Sequence, residues 1–225
     1  MINPDFDYLR RVRDREDLAD LMHDRQFLAA QKLFFDVVKD LGGEVDFDIA
    51  DMHEVHAVAA LTPIAKDLRV LDLGCGSTED YVLEDTFRDR YPPFVAEMLT
   101  RLGATVTGVD IRPQKNAGYD HRVIDLVDPA WVSSVDGPYD VIACFSLFNA
   151  PESPFEHDSV PCDRIMDDMR GLLAPEGIVV VNLRDELFAE SANEAGAKAY
   201  VESMGFELLH LDGNCAWLTV PTRRG

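Results

Sequence analysis

The sequence predicts an α/β fold: a doubly wound, mostly parallel sheet of seven strands with an N-terminal helical extension. From residue 68 onward, short apolar runs of strand length alternate with amphipathic stretches of helical period. Strands joined by helices lie parallel with right-handed crossovers, so helices cover both faces of the sheet. The last two runs flank a turn and form a hairpin that adds an antiparallel strand. We therefore expect a helical extension over residues 1–66, packed on a core domain over residues 67–225.

Helical periodicity dominates the N-terminal residues. Apolar side chains recur at three-to-four spacing from Leu9 to Leu41, and Gly42-Gly43 supplies a stop. A further helix is predicted from a capping box at Asp51–Glu54 to about residue 61. We interpret this extension as a cover for one sheet face, with a lid or an oligomerisation helix as the alternative.

The core elements follow in strand–helix order. Each predicted strand is an apolar run bounded by Gly, Pro or Asp, and each predicted helix has an apolar stripe. The predicted strands span residues 69–73, 105–109, 121–124, 140–145, 178–183, 206–211 and 216–220. The predicted helices span residues 94–102, 164–173 and 195–204, with a turn at 175–177.

Composition restricts the partners of the protein. The chain has 225 residues, of which 47% are hydrophobic, so it can bury a substantial core. Asp and Glu number 42 against 21 Lys and Arg, which gives a formal charge of −21. Such a surface repels phosphate backbones and anionic lipid, so we expect a small-molecule partner rather than a nucleic acid or a membrane. Two explanations of the negative charge remain: adaptation to a high-salt cytoplasm, or an ordinary acidic protein.

Targeting and metal-binding patterns are not recognisable in the sequence. No apolar run approaches the ~20 residues of a membrane span, and the first 15 residues lack the apolar part of a secretory signal, which favours a cytoplasmic location. The four cysteines form no CxxC pair, so we expect reduced thiols. His53 and His56 lie three apart without a third ligand, so we expect structural or exposed histidines and no metal.

Chemistry-bearing residues follow the ends of the first four predicted strands. In doubly wound sheets, ligands bind beyond the carboxyl ends of the strands. The turn Asp72–Gly76 contains glycines that let the backbone bend sharply and approach a ligand. Asp110 ends the second strand, where a carboxylate can accept both hydroxyls of a ribose. Asp125 ends the third strand and can accept an amino hydrogen of an adenine-like ring, and residues 144–149 line the same cleft.

These motifs resemble those of the S-adenosylmethionine-dependent methyltransferases of the Rossmann-like class, class I. The resemblance covers residues 68–220 and is carried by VLDLGCGS (70–77), TGVDI (107–111), VIDL (123–126), YDVIACFSLF (139–148) and LLAPEGIVVVNL (172–183). It implies the strand order 3-2-1-4-5-7-6 with the last strand antiparallel. It also implies that S-adenosylmethionine is the methyl donor and that the activity is a methyl transfer, EC 2.1.1.-.

The resemblance assigns cofactor-binding residues at four strand ends. The glycine turn would hold the methionine moiety, the acid after strand two the ribose, the acid after strand three the adenine, and the residues after strand four would face donor and acceptor. The implied residues are Asp72, Gly74, Cys75, Gly76, Asp110, Ile111, Asp125, Leu126, Cys144, Phe145 and Ser146.

Two features depart from the family pattern. Ser77 stands where the turn usually has a third glycine. Gly76 and Asp110 lie 34 positions apart, against the ~20 expected for a simple strand–helix–strand unit. The excess is an Asp- and Glu-rich insert over residues 77–91, before Pro92-Pro93 begins a helix. The insert either folds over the cofactor or is a tolerated surface loop.

The mechanism and two alternatives follow from the same residues. Methyl transfer from a sulfonium depends mainly on alignment and desolvation, and a base is needed only if the nucleophile arrives protonated. The candidates that could orient or deprotonate the acceptor are Asn149, Glu152, His157 and Asp158. The alternative is that these residues belong to an exposed polar loop without a catalytic role. A non-catalytic methyltransferase-like binding module is one alternative. A nicotinamide-dinucleotide-dependent oxidoreductase is another, disfavoured because the turn lacks the third glycine of a pyrophosphate site.

Overall fold

The seven predicted strands form one sheet. The computed structural model describes residues 2–13, 21–42, 50–79, 91–145, 147–148, 159–183, 194–213 and 215–221. Within these residues the strand order is β3-β2-β1-β4-β5-β7-β6. The strands are β1 Arg69–Leu73, β2 Thr105–Asp110, β3 Asp120–Val123, β4 Tyr139–Cys144, β5 Leu173–Asn182, β6 Glu207–Asp212 and β7 Cys215–Thr219. β7 is antiparallel to β5 and β6, and the other neighbouring pairs are parallel. The predicted α/β fold and strand order are confirmed.

Helices flank this sheet. In the described part of the chain they are α1 Phe6–Arg13, α2 Arg25–Asp40, α3 Ala50–Leu61, α4 Phe94–Arg101, α5 Ser159–Leu172 and α6 Glu194–Ser203. Helix α2 begins after Asp24, whose Oδ1 accepts from the backbone N–H groups of Gln26 and Phe27, and it ends before Gly42, which has a φ of 74°. Helix α3 already includes Ala50, so the capping box predicted at Asp51 is wrong: Asp51 lies inside the first turn.

The two faces of the sheet are covered by different parts of the chain. On the front face, side chains such as Val70, Val141 and Trp217 pack under α1 to α4. On the back face, the alternate side chains pack under α5 and α6. The N-terminal helices contribute directly to the front core: the rings of Phe34 and Phe94 lie 4.7 Å apart.

Two connections depart from the strand–helix alternation. Residues 111–119, between β2 and β3, and residues 124–138, between β3 and β4, contain no α-helix. In the first, the ring of Tyr119 covers β2 instead: a Cβ added to Gly108 would lie 2.4 Å from its Cε2 atom. The turn predicted at 175–177 lies inside strand β5. There the register of the β4–β5 pairing shifts, because Tyr139 pairs with Leu173 whereas Val141 pairs with Ile178, so extra residues of β5 bulge out of the ladder.

Candidate functional site

A glycine turn at the carboxyl end of β1 is the centre of the site. Gly74 and Gly76 have φ angles of 68° and 89°, a region that side chains other than glycine rarely adopt. The backbone N–H groups of Gly74 and Cys75 donate to the carbonyl oxygen of Val109 at 2.8 and 3.0 Å, which ties the turn to β2. A Cβ added to Gly76 would lie 2.1 Å from the carbonyl oxygen of Tyr91. Glycine at this position therefore lets two backbone segments meet.

Asp110, at the end of β2, is fixed against this turn. Its Oδ2 accepts the backbone N–H of Gly76 at 2.9 Å, and its Oδ1 accepts the backbone N–H of Arg112 at 2.9 Å and the Nε–H of the same residue at 3.1 Å. The carboxylate is buried, whereas the neighbouring Ile111 is 53% exposed. A fixed acid beside an exposed apolar side chain can bind the hydroxyls of a ligand and pack against a flat ring.

Asp72 is a buried carboxyl group beside the same turn. It is 3% exposed and projects from the front face of β1, and among the described residues its Oδ2 has no hydrogen-bond partner. Burial raises its pKa well above the usual range, Glu54 and Asp110 raise it further, and a backbone hydrogen bond from Ala96 opposes this. A ligand that brings a positive charge or a hydrogen-bond donor to Oδ2 would therefore stabilise the ionised form.

Two residues that the sequence analysis did not select complete this part of the site. Glu54 of α3 is 1% exposed and accepts a hydrogen bond from the hydroxyl of Tyr91 at 2.5 Å. Tyr91 is the last residue of the predicted insert, and its carbonyl oxygen accepts the backbone N–H of Ser77 at 2.7 Å. A Glu followed by the mainly apolar stretch 55–61 is the one sequence signal that could have pointed to Glu54.

The loop after β2 is held by a cluster of polar side chains. The Nε2 of His121 donates to the carbonyl oxygen of Arg112 at 2.8 Å, because a carbonyl oxygen can only accept. Tyr119 and Cys75 lie within 3.7 Å of the Nδ1 of His121. Burial raises the pKa of both the Tyr119 hydroxyl and the Cys75 thiol, so each stays protonated near neutral pH. Cys75 is therefore a packing residue rather than a thiolate nucleophile.

The start of the insert is hydrogen-bonded to this loop. The hydroxyl of Ser77 donates to the carbonyl oxygen of Pro113 at 2.6 Å, and the backbone N–H of Thr78 donates to Oε1 of Gln114 at 2.7 Å. Lys115 and Glu79 form an exposed ion pair at 2.6 Å. Ser77 thus has a structural use where the family has glycine. Residues 80–90 of the insert lie outside the described residues.

The remaining predicted residues are placed differently. Asp125 is exposed at the end of β3 and accepts the backbone N–H of Val127 at 2.8 Å. Leu126 and Cys144 are buried in the back core and Phe145 in the front core. The candidates that fall outside the described residues are Ser146, Asn149, Glu152, His157 and Asp158.

The histidines of α3 are not arranged for a metal. His56 is buried, its Nδ1 lies 2.7 Å from the hydroxyl of Tyr8, and its ring lies 5.2 Å from that of Phe27. Among the described residues, no group of three His, Cys, Asp or Glu side chains could hold a metal ion. In the same part of the chain, none of the helices combines the length and the apolar character needed to cross a membrane.

The strand order, the glycine turn and the strand-final acids together define a Rossmann-like methyltransferase. The chain belongs to the family described as a methyltransferase domain, whose model matches residues 49–213. The predicted recognition as a class I methyltransferase is confirmed at the level of family and fold. No curated protein shows a significant match to the sequence.

Solved structures share this fold at low identity. The N-methyltransferase NodS from Bradyrhizobium japonicum WM9, in complex with S-adenosyl-l-homocysteine, is 15% identical with a TM-score of 0.53, and the match covers 88% of this chain and 100% of NodS. The MycE methyltransferase of the mycinamycin biosynthetic pathway, in complex with Mg, SAH and mycinamycin VI, is 13% identical with a TM-score of 0.57. That match covers 85% of this chain and 56% of MycE, so the chain spans little more than half of that protein.

Proposed function

We propose that the protein transfers a methyl group from S-adenosylmethionine to a small-molecule acceptor. The family supports methyl transfer, and one observation carries the choice of donor: the buried Oδ2 of Asp72, which has no hydrogen-bond partner among the described residues, lies beside a turn of left-handed glycines. The ammonium group of an amino-acid moiety would compensate that carboxylate, whereas the phosphates of a dinucleotide would be repelled by it. The donor set therefore fits the methionine end of the cofactor.

The geometry supports the other cofactor contacts that we propose. Asp110 is positioned to accept the ribose hydroxyls, because Gly76 fixes its Oδ2 while leaving that oxygen a second acceptor position. Ile111 offers an exposed apolar surface to the adenine, and Asp125 an exposed carboxylate to its amino group. The turn residues Gly74 to Gly76 would hold the methionine moiety. Since their side chains are buried, Leu126, Cys144 and Phe145 would contribute backbone groups, and Ser146 remains a predicted contact.

Catalysis would depend on alignment and exclusion of water. When bound, the donor would supply a methyl group activated by its positively charged sulfonium sulfur. As the acceptor bonds to the methyl carbon in line with the carbon–sulfur bond, that bond breaks and the sulfur leaves as a neutral thioether. The chain's own contribution is to fix both molecules at the carboxyl edge of the sheet. Asn149, Glu152, His157 and Asp158 stay predicted as groups that orient or deprotonate the acceptor. MycE is solved with mycinamycin VI, which supports a small molecule, as does the charge of −21.

The first experiment measures S-adenosylhomocysteine affinity by calorimetry for the wild type, Asp72→Asn and Asp110→Asn. Loss of a hydrogen bond to a charged group costs about 1.5–3 kcal/mol, so we expect each variant to bind roughly 10–100-fold more weakly. Asp36→Asn, which removes an exposed carboxylate on α2, is the control and should bind like the wild type. Absence of wild-type binding at millimolar ligand, or equal affinity in Asp72→Asn, would contradict the proposal.

The second experiment separates an enzyme from a binding module. Purified protein is incubated with methyl-labelled S-adenosylmethionine and a small-molecule cell extract, and transfer of label is followed by mass spectrometry. We expect label on a low-molecular-mass product, and less of it with Asp110→Asn when the donor concentration is below saturation. Donor binding without any transfer would support the non-catalytic module, and binding of reduced nicotinamide cofactor would support the oxidoreductase.

A further inference from the structure

The loop after β3 folds around the carboxylate that the proposed function assigns to the amino group of the adenine. Oδ1 of Asp125 accepts the backbone N–H of Val127 at 2.8 Å, and the carbonyl oxygen of Asp125 accepts the backbone N–H of Asp128 at 3.1 Å. Asp125 is exposed, and among the described residues its Oδ2 accepts no hydrogen bond. The loop therefore fixes one carboxylate oxygen and leaves the other to a ligand.

Arg164 of α5 holds the other side of the same loop. Its Nη2 donates to the carbonyl oxygen of Leu126 at 2.5 Å, and its Nη1 donates to the carbonyl oxygen of Val127 at 2.9 Å. The carbonyl of Leu126 and the N–H of Val127 belong to one planar peptide unit, so this unit cannot rotate without weakening both of its hydrogen bonds. The next peptide unit is held in the same way, by Arg164 at its carbonyl and by Asp125 at its N–H.

The surroundings of Arg164 indicate an effect on the shape of the loop rather than a strong ion pair. Asp168, one turn further along α5, lies 3.9 Å from the Nε of Arg164 and accepts the Nε1–H of Trp131 at 2.8 Å. Among the described residues, the buried Nε of Arg164 has no hydrogen-bond partner. A guanidinium binds a carboxylate best through two parallel hydrogen bonds. Here both Nη groups donate to consecutive carbonyl oxygens of the loop instead.

We propose that Arg164 is a positioning residue for adenine recognition: it holds the two peptide units that bind Asp125, and thereby orients Oδ2 toward the amino group. This inference rests on the proposed function, because it needs the adenosyl group at the end of β3. Helix α5 packs on the back face of the sheet, but Arg164 reaches the loop at the ligand-binding edge. A hydrogen bond weakens steeply as its angle departs from linear, so a loop that is free to turn would recognise the amino group poorly.

The test compares two ligands that differ in the group that Asp125 would bind. S-adenosylhomocysteine carries the amino group, whereas S-inosylhomocysteine has a carbonyl oxygen in its place. Both affinities are measured by calorimetry on the full chain, and their ratio is the adenine preference. We expect an adenine preference of about 10–100-fold in the wild type. Asp125→Ala should lose it, and Arg164→Met should lower it to less than about threefold.

Three further variants distinguish positioning from a purely structural role. Arg164→Lys keeps the charge and a donor for one carbonyl oxygen, so its preference should lie between those of the wild type and Arg164→Met. Adding Arg164→Met to Asp125→Ala should change the preference no further, because Arg164 acts through Asp125. Arg170→Met is the matched control, since this arginine of α5 donates to the carbonyl oxygen of Met204 in another segment. It should keep the wild-type preference.

The possible results separate this inference from the proposed function on which it rests. A wild-type chain that binds both ligands equally would overturn the inference, as would a preference that falls equally in Arg170→Met. A lower free energy of unfolding in Arg164→Met, measured with urea, together with an unchanged preference would make Arg164 a purely structural residue. If Arg164→Met does not fold, a full wild-type preference in Arg164→Lys would overturn the inference. Failure of the wild type to bind S-adenosylhomocysteine would instead overturn the proposed function.

Discussion

The two faces of the sheet differ in what they bury. On the back face, the buried residues that the structure describes are aliphatic, aromatic or sulfur-containing apart from Thr107 of β2, and the Tyr139 hydroxyl is buried there without a hydrogen-bond partner among them. The buried polar and charged residues of the front face and its covering helices are Glu54, His56, Asp72, Glu97, Asp110, Asn182 and His210. Burying such groups costs free energy unless each finds a partner, so a face that collects them gives up stability. The comparison indicates that the back face serves folding and the front face recognition.

The largest expected effect is a back-face cavity. Ile165 of α5 is fully buried in the apolar core, so Ile165→Ala should lower the free energy of unfolding by about 2–5 kcal/mol. S-adenosylhomocysteine affinity of the folded protein should not change, because the side chain lies on the face away from Asp72. Urea denaturation and calorimetry measure the two quantities. A loss below about 1 kcal/mol would show that the back face is not the tightly packed one.

On the front face, the pH dependence of stability should report His56. Burial lowers its pKa to about 4, so between pH 6.5 and about 4 the unfolded chain binds a proton that the folded chain does not. The stabilising contribution of neutral His56 is therefore complete above pH 6.5 and is lost as the pH falls toward 4, by about 3 kcal/mol in all. Urea denaturation at several pH values measures it.

Asp72 also contributes to the pH dependence of stability, so the contribution of His56 has to be measured as a difference between two proteins. Its raised pKa means that the folded chain keeps a proton which the unfolded chain loses above pH 3.8, so its contribution falls as the pH rises. Subtracting the profile of His56→Gln from that of the wild type cancels this opposing contribution. Gln also keeps an acceptor for the Tyr8 hydroxyl. Parallel profiles for the two proteins would contradict the assignment of a buried, neutral His56.

The sequence predicts local features of this molecule better than tertiary ones. The glycine turn and Asp110 are recognisable because each stands at the end of an apolar run, and the parallel sheet then brings them within 2.9 Å. Glu54 and Tyr91 are not recognisable as a pair, because they lie 37 positions apart and meet only through the packing of α3 in the folded chain. The burial of Phe145 in the front core is a tertiary feature of the same kind, because a strand-end motif does not reveal which face its side chains take.

The smallest expected effects separate two glycines. Gly76→Ala places a side chain at a φ of 89° and a Cβ 2.1 Å from the carbonyl oxygen of Tyr91, so it should cost about 1–3 kcal/mol of stability. It should also weaken S-adenosylhomocysteine binding at least about tenfold, because the N–H of Gly76 that holds Asp110 would move.

Gly171 of α5 is the matched control. A Cβ there meets no atom within 4 Å, and its φ lies outside the left-handed region. Gly171→Ala should therefore stabilise the protein by up to about 1 kcal/mol through helix propensity and leave ligand affinity unchanged. Opposite signs for the two substitutions would support the contrast between a front edge shaped for a ligand and a back helix shaped for packing. Equal, small effects of both would show that the turn tolerates a side chain and would weaken the claim that its backbone approaches a cofactor.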